Sequence, residues 1–334
     1  MKILINGFGR IGRQILRRSY DKNILIDFIN DPNVNNDQAR LLLQYDSVYE
    51  KFRKKVLSKK QGISIKGRLI TIFREKKLSK IPFKKLGINI VIDASGVKYK
   101  TEEYHKIIKR EEVTIIATRH INNADEIIVF GVNENNIKNT MKKKLISTSI
   151  CDVVSLTPIF HLIQEKIPIK INSIYIVSLH PFLSYQKVLD NPSSKKNQSL
   201  AFTRSAINNL IPKNTSIAEC CEDILQNLKG KIMAYQIRVP TNSVSCAFIE
   251  IVFNSKLNKE DLRTWIKYLK KPIFALNNDN LVSIDFSGSK NSSIIDKRWL
   301  FIKENRLNMM IWYDNETGYS ARVIDILLKI LEKW

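Results

Sequence analysis

The 334 residues suffice for two domains with cores of their own; 44% are apolar, and 11 Gly and 9 Pro are too few for a fibrous or low-complexity chain. The formal charge of +23 would suit a polyanion, but the basic residues fall in short clusters at 51–55, 142–144, 195–196 and 270–271, with no single basic arm and no aromatic interleaving of the kind RNA-binding sheets use, so compositional drift explains them and no nucleic-acid partner is expected. No apolar run approaches the roughly 20 residues of a membrane helix; there is no signal-peptide layout, and the four cysteines form no CxxC pair or metal-ligand spacing. A reduced, cytoplasmic protein without membrane partner or metal site is therefore expected.

In chain order, residues 2–6 read as a buried strand and a glycine turn follows at once. Residues 10–20 place Ile11, Ile15 and Leu16 on one helical side, and 24–30 read as a second strand. This is the opening unit of a parallel sheet. Further strands are predicted at 88–92, 114–117 and 145–147, with a helix over 101–110. Beyond a helix over 151–164 the strands lengthen and alternate, at 170–179, 232–239, 243–254 and 308–312, with a helix over 261–269, a polar loop over 191–199 and an amphipathic helix over 321–334. The expected fold class is α/β: a doubly wound parallel-sheet domain over 1–150, then an α+β domain with a mostly antiparallel sheet over 151–315. The C-terminal segment, 316–334, is expected to pack back on the first domain.

Gly7, Gly9 and Gly12 stand in G-x-G-x-x-G spacing between strand and helix, with Arg10 and Ile11 inside the motif. Such a turn brings backbone and helix N–H groups to a pyrophosphate. Asp31, 19 residues after Gly12, lies where a carboxylate grips ribose hydroxyls and repels a 2′-phosphate, which favours NAD over NADP.

Cys151 falls at the first turn of its predicted helix, where a helix N-terminus should lower a thiol's pKa. Cys220, Cys221 and Cys246 read as small buried hydrophobes. His180 closes a strand where a loop begins and is the candidate base; His105 and His161 lie on helices and His120 in a polar connection.

Residues 5–13 (INGFGRIGR), 42–48 (LLQYDSV), 237–241 (IRVPT) and 312–320 (WYDNETGYS) together resemble the glyceraldehyde-3-phosphate dehydrogenase superfamily along essentially the whole chain. The resemblance implies an NAD domain followed by a catalytic domain, in a homo-oligomer, usually a tetramer. It also implies oxidation of a phosphorylated sugar aldehyde through a cysteine thioester, with Cys151 as nucleophile and His180 as base. By the same resemblance Asn315 holds the nicotinamide amide with Tyr319 nearby, Ser95 joins the cofactor site, and Arg238, Thr215 and Arg204 contact substrate.

Residues 86–93, the series Gln186, Val188 and Asp190 after His180, and Thr203-Arg204-Ser205-Ala206 are most similar to the D-erythrose-4-phosphate dehydrogenase branch. That branch releases the acyl group to water and feeds pyridoxal phosphate synthesis. The alternatives are a phosphorylating, glycolytic glyceraldehyde-3-phosphate dehydrogenase, and a decayed relative that binds NAD or nucleic acid without catalysis. The chain departs from the family at the nucleophile, where Ser-Cys-Thr-Thr-Asn is replaced by Ile150-Cys151-Asp152-Val153-Val154. Asp152 should raise the thiol's pKa and disfavour an anionic acceptor.

Overall fold

The computed structural model describes residues 1–137, 143–192, 199–270 and 272–332. The middle of the loop expected over 191–199, all or part of three basic clusters, and residues 333–334 of the helix expected over 321–334 thus lie outside the described residues. The chain divides into two compact units: Met1–Ile150 with Ser320–Trp334, and Cys151–Tyr319.

The first unit runs β1 (Lys2–Asn6), α1 (Arg10–Asp21), β2 (Phe28–Asn30), α2 (Asn36–Gln44), β3 (Val56–Lys59), β4 (Gly62–Ile65), β5 (Arg68–Phe73), α3 (Phe83–Leu86), β6 (Ile88–Asp93), α4 (Thr101–Glu111), β7 (Thr114–Ala117), β8 (Glu126–Ile127) and β9 (Leu145–Ser147). Its sheet has the order β3-β4-β5-β2-β1-β6-β7-β9-β8. From β5 to β8 all pairs are parallel, while β3, β4 and β5 form an antiparallel meander. Leu4, Val91, Ile115 and Leu145 from the strands pack with Tyr104, Ile107 and Ile108 of α4 in one apolar core. The order of winding reverses beside β1, so the glycine turn at its carboxyl end sits at the switch point where such sheets bind ligands. The expected strand over 24–30 is shorter: Ile24 N–H bonds to Ser19 O at the end of α1, which leaves residues 24–27 as a connection.

The second unit runs α5 (Cys151–Lys166), β10 (Ile171–Pro181), β11 (Ile211–Lys213), α6 (Ile217–Ile224), β12 (Ile232–Val239), β13 (Ser245–Phe253), α7 (Lys259–Lys267), β14 (Phe274–Asn277), β15 (Ser293–Lys303) and β16 (Arg306–Tyr313). The sheet order is β11-β12-β10-β13-β16-β15-β14. It is mostly antiparallel, with β10/β12 and β14/β15 the parallel pairs. Along β10 burial alternates: Ile174, Ile176, Ser178 and His180 are buried while Tyr175 and Val177 are exposed. A period of two puts Ser178 and His180 on one face of the sheet. The last helix, α8 (Thr317–Glu332), begins in this unit and passes into the first at Ser320. Among the described residues no helix is long and apolar enough to cross a membrane.

Candidate active site

Strand register assembles the site of the second unit. In the parallel pair β10/β12, Ser178 stands opposite Gln236 and His180 opposite Arg238. Two rungs, separated by Leu179/Ile237 and so on one face of the sheet, therefore present four polar side chains, all buried. α5 supplies Cys151 and Asp152 in its first turn, and β16 supplies Tyr313 at its end.

Cys151 Sγ lies 3.5 Å from His180 Nε2 and 3.4 Å from Asp152 Oδ2. The Nδ1 of His180 is 2.8 Å from the carbonyl oxygen of Pro181. A carbonyl only accepts, so Nδ1 carries the proton and Nε2 turns a lone pair to the sulfur. Burial pushes the imidazole down to about 4, against the pull of Asp152 and with a push from Arg238; His180 is a neutral base through the physiological range. Asp152 Oδ1 accepts from the Tyr313 hydroxyl at 2.7 Å, the Ser178 hydroxyl at 2.9 Å and Gln236 Nε2 at 3.2 Å. Burial alone would raise its pKa, but the hydrogen bonds from Tyr313 and Ser178 and the charge of Arg238 hold the carboxyl below the ordinary value. Asp152 is a buried anion held by its donors.

The thiol responds to that anion. Burial and then Asp152 push Cys151 well above its ordinary value, with Arg238 the opposing influence. Of the two opposing influences read from the sequence, a helix N-terminus that lowers and Asp152 that raises, the second prevails with the help of burial, since desolvation and a carboxylate at hydrogen-bond distance outweigh a half-charge dipole. The remaining cysteines, Cys220, Cys221 and Cys246, are buried and unpaired in any disulfide.

Arg238 donates from Nη1 to Pro181 O at 3.2 Å, while its buried Nε has no hydrogen-bond partner among the described residues. A buried guanidinium with a donor to spare is suited to an anionic group. Thr215 lies just before α6, its hydroxyl accepting from Ile217 N–H. Arg204 is exposed and ion-paired with Asp190 at 2.9 Å; no described contact joins it to Cys151 or His180. Asn315 is buried with its Oδ1 unpartnered among the described residues, and Tyr319 is buried close by in sequence.

In the first unit the glycine turn has the form a dinucleotide requires. Gly7 has φ +92, and a Cβ there would lie 2.4 Å from Ser95 Cα; a Cβ on Gly12 would lie 2.0 Å from Gly7 O. Neither position admits a side chain. Gly9, by contrast, would meet nothing within 4 Å and serves as N-cap of α1 without a side-chain cap, leaving helix N–H groups available to phosphate. Arg10 and Ile11 begin that helix, both partly exposed. Asp31 accepts from Phe8 N–H at 2.8 Å and Asn33 N–H at 2.9 Å, which fixes the carboxylate beside the turn. Ser95 donates to Asp93 at 2.7 Å, and Asp93 also receives Asn6 Nδ2 at 2.8 Å. These residues fit NAD.

Ser178, Gln236 and Tyr313 were not singled out from the sequence. Ser178 and Gln236 stand two residues before His180 and Arg238 on their strands, so period-two spacing was the available signal; only register brings them to one carboxylate.

Comparison with known proteins agrees with this geometry. The family model described as glyceraldehyde 3-phosphate dehydrogenase, NAD binding domain, matches residues 1–102, and that of the glyceraldehyde 3-phosphate dehydrogenase C-terminal domain matches 150–315. Glyceraldehyde-3-phosphate dehydrogenase 1 of Kluyveromyces marxianus is 31% identical over 333 residues, covering 98% of each chain. Glyceraldehyde-3-phosphate dehydrogenase of Borreliella burgdorferi is 32% identical over 348 residues, covering 99% of this chain and 100% of the relative. Glyceraldehyde-3-phosphate dehydrogenase 1 of Bacillus subtilis is 31% identical, covering 100% and 99%.

Proposed function

The chain belongs to the glyceraldehyde-3-phosphate dehydrogenase family and is an NAD-dependent oxidoreductase of aldehydes, and on that premise we propose that it oxidises D-erythrose 4-phosphate to 4-phosphoerythronate with water as acyl acceptor. The observation that carries the chemistry is the Sγ of Cys151 at 3.5 Å from Nε2 of His180, with Arg238, whose buried Nε has no partner among the described residues, opposite His180 on the paired strand.

His180 Nε2 takes the thiol proton of Cys151 as the sulfur attacks the aldehyde carbon, and returns that proton to the resulting alkoxide to give a thiohemiacetal. NAD, which the glycine turn, Asp31 and Ser95 would hold, would supply the hydride acceptor for this carbon. His180 Nε2 takes the hydroxyl proton as the carbonyl re-forms, leaving a thioester on Cys151. His180, freed of that proton, then removes one from an attacking water; the thioester C–S bond breaks, releasing the acid and the thiolate. Arg238, with Thr215 and Arg204, binds the substrate's phosphate and hydroxyls. The glycine turn, Asp31 and Ser95 hold the dinucleotide, and Asn315 and Tyr319 the nicotinamide end. A water acceptor is favoured because Asp152, buried and anionic beside the sulfur, repels a phosphate anion.

A second reading, phosphorolysis of the same thioester from glyceraldehyde 3-phosphate, is favoured by the names of the relatives. NADH absorbance separates the two. Turnover with erythrose 4-phosphate and no inorganic phosphate, with little from glyceraldehyde 3-phosphate plus phosphate, supports the first. The reverse result establishes the second. Silence in both with NAD still bound sinks the enzymatic reading.

A homo-oligomer, a tetramer by family resemblance, in the cytoplasm is part of the proposal. The oligomer is supported by one face of the second sheet, where Tyr175, Val177, Met233, Tyr235 and Phe248 are exposed and neighbour one another across β12, β10 and β13. Such a contiguous apolar patch suits a subunit contact.

A further inference from the structure

We propose that Cys151, Asp152 and His180 form a binding site for a single zinc-type divalent cation, which shuts the nucleophile off reversibly. The three ligand atoms lie within 4.8 Å of one another. A tetrahedral zinc with bonds of about 2.3 Å to sulfur and about 2.0–2.1 Å to nitrogen and oxygen has S–N and S–O edges of about 3.5 Å. The observed separations are 3.5 Å and 3.4 Å, so two edges of the coordination polyhedron are already in place and Oδ2 is the carboxylate oxygen turned to the sulfur.

The groups behind the ligands are those that metal sites use. A ligating imidazole ordinarily donates its other N–H to a carbonyl or carboxylate, and ligating carboxylates are themselves hydrogen-bonded. His180 Nδ1 is tied to Pro181 O, and the non-facing oxygen of Asp152 is held by Tyr313, Ser178 and Gln236. Both side chains are thus oriented before any ion arrives.

Charge points the same way. A thiolate beside a buried carboxylate is two negative charges in contact, and a dication neutralises them. The guanidinium of Arg238 and, farther out, Lys213 oppose a cation here, but Arg238 can offset only one of the two charges. One thiolate, one imidazole and one carboxylate select borderline-soft ions such as Zn²⁺ or Co²⁺ over Mg²⁺ or Ca²⁺. On binding, the thiol's proton leaves to solvent, one per ion. The ion then occupies the lone pairs of both Sγ and Nε2. The cysteine spacing had offered no metal site because the third ligand type lies 29 residues from Cys151, on a different element.

The inhibitory consequence rests on the reading of Cys151 as nucleophile; the binding does not. The test uses the purified full chain without NAD or substrate, titrated with cobalt(II) chloride while the thiolate-to-cobalt charge-transfer absorption is followed. One equivalent with that band and one proton released is expected, displaced by zinc. Cys151→Ser should abolish the band. Asp152→Asn, which keeps an acceptor for Tyr313 and Ser178, should weaken affinity by at least the roughly 10- to 100-fold that loss of an outer-shell partner costs. No band in the wild type, or equally tight binding by a circular-dichroism-verified Asp152→Asn, overturns the proposal. Should Asp152→Asn fail to fold, Asp152→Thr, the family's own side chain at this position, takes its place. NADH turnover measured separately, with and without zinc and chelator, distinguishes failure of the metal site from failure of the dehydrogenase reading.

Discussion

Replacing Asp152 by Asn tests the electrostatics of the site most directly. The carboxylate oxygen lies 3.4 Å from the sulfur, and a unit charge at that separation is worth about 5 kcal/mol at an effective dielectric of about 20 and about 1 kcal/mol at that of water. Even the lower figure is close to tenfold in thiolate population. The amide also places an N–H donor where Oδ2 stood, which adds to the stabilisation of the thiolate. Asp152→Asn should therefore lower the midpoint of Cys151 ionisation and raise its iodoacetamide alkylation rate near pH 7.5 by about tenfold or more. The assay follows carbamidomethylation of the Cys151 peptide against pH, and Cys151→Ser supplies the blank; the other cysteines are buried. A variant that folds and binds NAD like the wild type but alkylates no faster, with an unchanged midpoint, refutes the argument that Asp152 governs the nucleophile.

With burial and Asp152 holding the thiol well above its ordinary 9.0, kcat/KM should climb with pH through about 9, because the thiolate share grows about tenfold for each pH step below the pKa; a plateau from about pH 7.5 contradicts this. On the acid side burial pushes His180 down to about 4. This base therefore adds no inflection near 6.5 in a kcat/KM profile, and one observed there that vanishes in His180→Gln counts against a neutral imidazole. Arg238→Lys should raise KM for the phosphorylated aldehyde by about tenfold or more, as a bidentate contact becomes a point charge, with NAD affinity measured by calorimetry unchanged. Asp31→Ala should weaken NAD relative to NADP; an unchanged ratio removes Asp31 from the ribose site. Phe248→Glu on the exposed sheet face should lower the mass measured by light scattering, whereas a wild type that is already monomeric ends the oligomer proposal.

Much of the first unit could be read from the sequence because its strands are fully buried apolar runs separated by strongly periodic helices: β6, β7 and β9 were located almost to the residue. The meander β3–β5 was not. Its strands are only four to six residues long, and β4 is buried at every position, so no period-two pattern stands out. β15 escaped for another reason. Its register shifts between Asp296 and Phe301, so the period-two pattern breaks inside the strand. In the site, Cys151 and His180 were legible because each sits at the end of an element, whereas the donors to Asp152 come from three strands far apart in sequence. Local spacing carries no information about that convergence.

The network around Asp152 also explains why a carboxylate so unfavourable to a thiolate persists in a folded core. Removing one donor, as in Tyr313→Phe, leaves a buried anion short of a hydrogen bond and costs about 1–3 kcal/mol. Ser178, Gln236 and Tyr313 are then themselves buried polar groups that need the carboxylate, so each partner stabilises the others. The hydroxyl of Tyr313 is pushed far above its ordinary range by burial and by Asp152, which keeps its proton available to donate at every working pH. The anion beside Cys151 is consequently a fixed part of the second unit's interior. Any chemistry at the sulfur, whether attack on an aldehyde or binding of a cation, proceeds against that constant negative charge, which hinders the first and assists the second.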